Sequence, residues 1–259
     1  LVGPAARIDA LAASLGIDIS GYAREAVPHS HAAAARAVEL VRLGQAHALM
    51  KGSLHTDELL AEVVKPDTGI RTQRRLSHVF IMDVPTYPKP LFITDAVVNI
   101  RPTLEEKIPI VQNAIDLART LGVATPKVAI LSAVEVVEPK LPATIDAAAL
   151  CKMADRGQIT GALLDGPLAF DNAIDTQAAR IKHINSPVAG DADILLAPDL
   201  EAGNMLAKEL TFLADADAAG IVLGARAPII LTSRADSERT RMASCAVAVL
   251  CAHAAGAAA

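Results

Sequence analysis

Residues 104–134, LEEKIPIVQNAIDLARTLGVATPKVAILSAV, decide the fold. In the first part Ile108, Val111, Ile115 and Ala118 recur at helical spacing, and Gly122 supplies a C-terminal stop. The stretch then turns into PKVAILSAV, an apolar run suited to a buried strand. The same change of period repeats downstream. Residues 144–157 (TIDAAALCKMADRG) predict a helix capped by Thr144 or Asp146, and residues 159–166 (ITGALLDG) a strand. Residues 172–184 predict a helix, 191–199 a strand, 201–216 a helix, and 220–225 and 228–233 two strand-like runs. Strands alternating with helices imply crossover units, so an α/β chain with a mainly parallel sheet and helices on both faces is expected.

Residues 79–98, VFIMDVPTYPKPLFITDAVV, break this rhythm as two strands joined by a Pro-rich turn, a hairpin rather than a crossover. Such a hairpin often marks a subdomain boundary. The expected division is residues 1–76 plus 228–259 as a first α/β domain and residues 77–227 as a second.

The composition excludes several functions. The chain of 259 residues is 52% hydrophobic but only 2% aromatic, without Trp, which argues against a nucleic-acid binder that stacks bases. No apolar run approaches the roughly 18 residues of a membrane span. Cys151, Cys245 and Cys251 lack metal-type spacing, suggesting a reducing, cytoplasmic setting without a disulfide framework. With a net charge of −5 there is no global field for an anion, so an anionic ligand needs a local cluster. KPDTGIRTQRR at 65–75 offers Lys65, Arg71, Arg74 and Arg75, in a segment that reads more readily as a solvated loop.

In open α/β sheets ligands bind beyond the carboxyl ends of strands. The polar post-strand segments are Lys51-Gly52-Ser53, Asp165-Gly166-Pro167, Pro198-Asp199 and Thr232-Ser233-Arg234. His55 follows the first of these and stands where Thr56 and Asp57 start a helix. Gly203 and Asn204 lie near the start of the 201–216 helix. Lys208, placed on its first turns, opposes the helix dipole unless it faces an anion. Ser233-x-x-Asp236 resembles an acidic capping box, and a helix N-terminus there is also suited to anions. No G-x-G-x-x-G and no P-loop occurs, and His29 and His31 lack a nearby third metal ligand.

Several segments in order, LMKGSLHTDELL, ITDAVVNIRPTLEEK, PKVAILSAVE, DGPLAFDNAI, PDLEAGNMLAK and LTSRADS, resemble the phosphate acetyl/butyryltransferase family, nearer its butyryltransferase branch. The resemblance implies a two-domain fold like that of isocitrate and isopropylmalate dehydrogenases, with the active site in the interdomain cleft. It implies a homodimer or higher homo-oligomer and transfer of a short acyl group, acetyl or butyryl, from CoA to phosphate. CoA and phosphate are then substrates, and no cofactor or metal is implied. Family members carry a further strand and helix upstream of Leu1, and some carry a fused hydratase-like domain there.

The family's Ser-Arg pair falls on Ser233 and Arg234, one polarising and the other holding phosphate. The acetyltransferases' proposed general-base Asp falls on Thr240, which leaves Asp236 as the nearest carboxylate. Their Arg-Pro falls near Ala61 and Glu62, so Lys51, Lys208 or Arg71 must take over its phosphate contact. Lys51, Gly52, His55, Thr56, Asp165, Gly166, Pro167, Gly203, Asn204, Lys208 and Thr232 complete the expected phosphate and CoA set, with Ser233, Arg234 and Asp236 as catalytic residues. Two alternatives remain. A non-catalytic acyl-CoA or phosphate-binding protein would bind CoA without thiolysis. A decarboxylating dehydrogenase would need NAD and a divalent metal.

Overall fold

The computed structural model describes residues 1–233 and 235–257. In chain order the elements are β1 Val2–Gly3, α1 Ala5–Leu15, β2 Glu25–Ala26, α2 Ser30–Arg42, β3 Leu49–Met50, α3 Thr56–Val63, β4 Ser77–Asp83 and β5 Leu91–Thr94. They continue as α4 Leu104–Thr120, β6 Lys127–Leu131, α5 Pro142–Asp155, β7 Leu163–Leu168, α6 Phe170–Ile174, α7 Thr176–Ile181, β8 Ile194–Leu196, α8 Leu200–Leu213, β9 Asp217–Leu223, β10 Ile229–Ile230 and α9 Glu238–Ala257.

Eight strands form one sheet in the order β3-β10-β9-β4-β5-β8-β6-β7, and β1 and β2 pair separately in parallel. The expected hairpin is β4 with β5, antiparallel from Val79 opposite Thr94 to Met82 opposite Leu91. It reverses the sheet's direction. β3, β10 and β4 run one way, while β9, β5, β8, β6 and β7 run the other. The sheet is mixed, with four parallel and three antiparallel pairings. It also continues from β10 into β9, so hydrogen bonds cross between the segments assigned to the two expected domains.

Two-residue alternation divides the core between the faces. Val128, Ile130, Ile194 and Leu196 pack with Ile110, Ile115 and Leu117 of α4 and Leu150 of α5. Ala129, Leu131 and Leu195 instead join Ala207 of α8 and Ala173 of α6. Ala34, Val38, Leu59 and Val63 of α2 and α3 cover Leu49, Ile229 and Leu231. α4 starts with a full capping box, Thr103 Oγ1 accepting from Glu106 N at 3.3 Å and Glu106 Oε2 accepting from Thr103 N at 3.0 Å. Gly122, at φ +99°, follows its last turn, where a side chain would be strained.

Two local expectations are corrected. Neither Thr144 nor Asp146 caps α5, which starts earlier, at Pro142 after Leu141. Pro is suited to a first helical turn because its missing N–H removes no bond there. Thr144 Oγ1 donates to Leu141 O at 2.8 Å and accepts from Glu138 N at 3.0 Å, tying the preceding loop to the helix. The helix expected over 172–184 is two short ones, broken where Asp175 caps α7 by accepting from Ala178 N at 2.6 Å.

At the sheet's centre, where β4 begins and β5 ends, sits a buried polar knot. Asp95, 3% exposed, accepts from His78 N at 3.2 Å, Val97 N at 2.8 Å, Val98 N at 3.0 Å and Asn99 Nδ2 at 2.5 Å. The His78 ring is wholly buried beside Phe80, with ring centroids 4.4 Å apart, and close against Gly220. Burial pushes the His78 imidazole down to about 4, against a weaker upward pull from the Asp95 carboxylate.

The unfolded chain takes up this proton near pH 6.5 and the folded chain only near 4, so protonation favours unfolding as pH falls between them. His78 should therefore cost about 3 kcal/mol of stability across that window and nothing above it. Urea denaturation at pH 7.5 and pH 4.5 tests this. His78→Leu should lose less stability than wild type between the two, and equal losses would remove His78 as the cause.

Candidate functional site

β3 and β10 are parallel neighbours, so their carboxyl ends emerge side by side. Leu49 N donates to Pro228 O and Lys51 N to Ile230 O, each at 3.0 Å, which sets the two post-strand segments in register. Lys51 and Gly52 thus leave β3 at the same end of the sheet at which Thr232 and Ser233 leave β10, with His55 and Thr56 a few residues further along the first segment and Asp236 along the second. Thr232 is buried, Ser233 exposed and Asp236 half-buried. Arg234 lies outside the described residues.

The Ser233–Asp236 turn carries one half of the expected capping box. Asp236 Oδ2 accepts from Ser233 N at 2.6 Å, but the Ser233 hydroxyl accepts from Ala235 N, at 3.3 Å. The cap of α9 is Ser237 instead, whose Oγ accepts from Thr240 N at 3.1 Å. The sequence SRADSERT holds two consecutive four-residue patterns that begin with Ser, and the second starts the helix. Ser233 is thereby left outside the helix, with its hydroxyl proton free for another acceptor. Thr240, at the position of the acetyltransferases' Asp, lies in the first turn of α9 with Oγ1 3.0 Å from Ser237 Oγ.

His55 occupies the N-cap position of α3, and its side chain makes no capping bond. The first-turn N–H groups of α3 are thereby left without a cap from the His55 side chain. Asp57 and Glu58, in the same turn, reduce the positive potential there. Lys51 makes no ion pair among the described residues. Below the turn, α9 is fixed to the sheet by Ser244 Oγ, which accepts from Gly220 N at 2.9 Å and donates to Thr240 O at 2.8 Å.

The other expected residues lie elsewhere. Asp165, Gly166 and Pro167 do not follow β7 but form its middle, and β7 is the far edge of the sheet from β3. Seven interstrand spacings separate those edges, about 34 Å, so within one chain these residues do not meet Lys51 or Ser233. Gly166 is a packing residue: a Cβ there would lie 2.8 Å from Ile130 Cβ and from the Ile130 carbonyl oxygen.

Pro198 and Asp199 follow β8, which runs opposite to β10. Asp199 caps α8 by accepting from Ala202 N at 2.9 Å. Gly203 lets α8 approach the 95–96 backbone, since a Cβ would stand 2.6 Å from Asp95 O, and Asn204 Nδ2 donates to Ala96 O at 3.0 Å. Lys208 is not on the first turns of α8. It is exposed and lies in the helix's second half, outside the reach of the N-terminal dipole. Sequence reasoning missed His78, Asp95 and Asn99, although a polar residue at each end of the hairpin strands was a visible signal.

An exposed hydroxyl, a tethered carboxylate, a lysine and helix N–H donors left uncapped by His55 suit chemistry on an anionic oxygen compound. Comparison with known proteins points the same way. The model of the family described as "Phosphate acetyl/butaryl transferase" matches residues 10–249. A phosphate acetyltransferase of Rhizobium meliloti is 68% identical over 250 residues, covering 96% of this chain and 79% of that protein. A phosphate butyryltransferase of Clostridium acetobutylicum is 44% identical over 250 residues, covering 96% and 83% respectively. The crystal structure of a branched-chain phosphotransacylase from Enterococcus faecalis V583 superposes with a TM-score of 0.83 at 36% identity, over 90% of this chain and 83% of that one. With fold, chain order and residue motifs in agreement over nearly its whole length, the chain belongs to the phosphate acetyl/butyryltransferase family.

Proposed function

We propose that the chain moves an acyl group between CoA and inorganic phosphate at the joined carboxyl ends of β3 and β10, with acetyl preferred over butyryl. Family membership supports the class of reaction. The 68% identity to a protein named phosphate acetyltransferase, against 44% to one named phosphate butyryltransferase, supports the preference. The observation that supports the placement is the registered pairing of β3 with β10, after which the segments beginning at Lys51 and at Thr232 follow at the same end of the sheet.

In this reading a phosphate oxygen attacks the thioester carbonyl, the tetrahedral oxyanion collapses, and the thiolate of CoA leaves and is protonated. The Ser233 hydroxyl donates to the oxyanion, a contact that strengthens as charge develops. Asp236, held by Ser233 N, accepts the proton from dihydrogen phosphate in one direction and from the CoA thiol in the other. Lys51 and the N–H groups of α3 hold phosphate, together with Arg234, which follows Ser233 in sequence. None of these steps draws on a cofactor.

The chain acts as a homodimer in this reading, supported by the exposed apolar stripe of Met242, Val249 and Leu250 along α9. No helix among the described residues is long and apolar enough to cross a membrane. A cytoplasmic enzyme acting on small molecules fits that observation and the three unpaired cysteines.

Thiol release from acetyl-CoA or butyryl-CoA, with metal and nucleotide omitted, tests the activity. Release should depend on phosphate and proceed with a higher kcat/KM for acetyl-CoA. No release from either, despite CoA binding, would leave a binding protein on an enzyme's fold.

A further inference from the structure

β3 ends on a methionine that is only partly covered. The two residues of the strand alternate across the sheet. Leu49 is buried with Val38, Leu59 and Val63 under α2 and α3. Met50 lies on the other face, where Cys245 of α9 donates its Sγ hydrogen to Met50 Sδ at 3.7 Å. Ile230, opposite Met50 in the β3–β10 register, is buried on that same face with Ala248 of α9. Met50 is thus seated on α9, yet it is 48% exposed.

The groups around this exposed thioether are polar. Lys51 and Gly52 follow it in the chain, and Thr232 and Ser233 leave the neighbouring strand at the same end. Among the described residues of 44–63 and 225–241, Met50 is the one large apolar side chain that is exposed. Leu54, the next apolar residue along the segment, packs into the cluster on the α2–α3 face. Small-molecule sites combine a few polar groups with an apolar wall. An acyl group needs such a wall for its carbons beyond the carbonyl, and here only Met50 supplies one. Its unbranched, polarisable side chain adapts to the shape of what it touches.

We propose that Met50 is the wall of the acyl subsite and sets the chain length that the site accepts. The proposal rests on the transferase reading above, with transfer at Ser233. The thioether fills the space that the last two carbons of a butyryl group would take, and an acetyl methyl stops short of it. A longer chain has to displace a side chain already seated on Cys245. The preference for acetyl over butyryl thereby acquires a physical cause in one residue.

The test follows phosphate-dependent thiol release from acetyl-, propionyl- and butyryl-CoA in wild type, Met50→Ala and Met50→Val. The ratio of kcat/KM for two acyl groups on one preparation does not depend on the fraction folded, so a destabilised variant still reports. Met50→Ala should raise the butyryl-to-acetyl ratio about tenfold or more, with propionyl between, and Met50→Val should raise it less. Ratios within about twofold of wild type in both variants would overturn the proposal. An unmoved ratio together with loss of self-association in sedimentation would overturn it too, by assigning Met50 to a subunit contact. Wild type active on acetyl-CoA, with unmoved ratios in the variants, removes the acyl wall alone. Wild type silent toward all three thioesters removes the transferase reading, and the acyl wall with it.

Discussion

Ser233→Ala is expected to lower kcat by roughly two to three orders of magnitude while changing the KM for phosphate and for CoA little. In the proposed mechanism the hydroxyl's contact to the oxyanion forms only as the carbonyl becomes tetrahedral, so its loss is expected to fall on turnover rather than on ground-state binding. Its structural role is small. Ser233 is exposed, its Oγ accepts one 3.3 Å bond from Ala235 N, and the cap of α9 belongs to Ser237. Stability should therefore change by under about 1 kcal/mol. Steady-state kinetics and a urea titration on the same preparation separate the alternatives. Unchanged kcat with lowered stability would mean that the hydroxyl only holds the turn, and the oxyanion donor would have to be sought elsewhere around β3.

Asp95→Ala carries the largest expected loss of stability, about 4 kcal/mol. The carboxylate satisfies four donors, three backbone N–H groups and the Asn99 amide, in a place water does not reach. Deleting it strands all four. It also releases the loop on which α8 rests through Gly203 and Asn204. Asp95→Asn keeps an acceptor and should lose about half as much. Urea denaturation followed by circular dichroism measures both. A loss below about 1 kcal/mol for the alanine variant would show that the loop rearranges to satisfy its own donors.

Much of the fold was legible because local signals agreed with it. The 104–122 helix, the strands that follow it, and the Pro-interrupted hairpin are each encoded by spacing within one short segment. Strand direction was not legible from such segments. It depends on β9 pairing antiparallel with both β4 and β10, a choice made between residues far apart in sequence. For this reason the four polar strand ends could be found in the sequence but not sorted. Lys51 and Thr232 share one end, Asp199 follows a strand running the other way, and Asp165 sits within an edge strand.

Caps failed for a related reason. Ser and Thr followed by a suitable residue three positions on are frequent, and tertiary packing selects among them, as Ser237 over Ser233 shows. The Gly203–Asn204 pair looked like ligand chemistry because small and amide residues serve close backbone approach and loop anchoring equally well.

The pairing of β3 with β10 also dictates when the proposed site comes into being. It joins residues 49–50 to residues 229–230, so the ribosome must add a further 180 residues before β3 meets its neighbour. At roughly 5–20 residues per second, that is about 10–40 s during which Leu49 and Met50 wait as an unpaired apolar edge. During synthesis the hairpin and the β5–β8–β6–β7 array are complete before β10 emerges. Nascent chains stalled ahead of residue 228 should therefore hold a protease-resistant central sheet but no catalytic centre. The proposed site assembles only after the rest of the sheet has been synthesised.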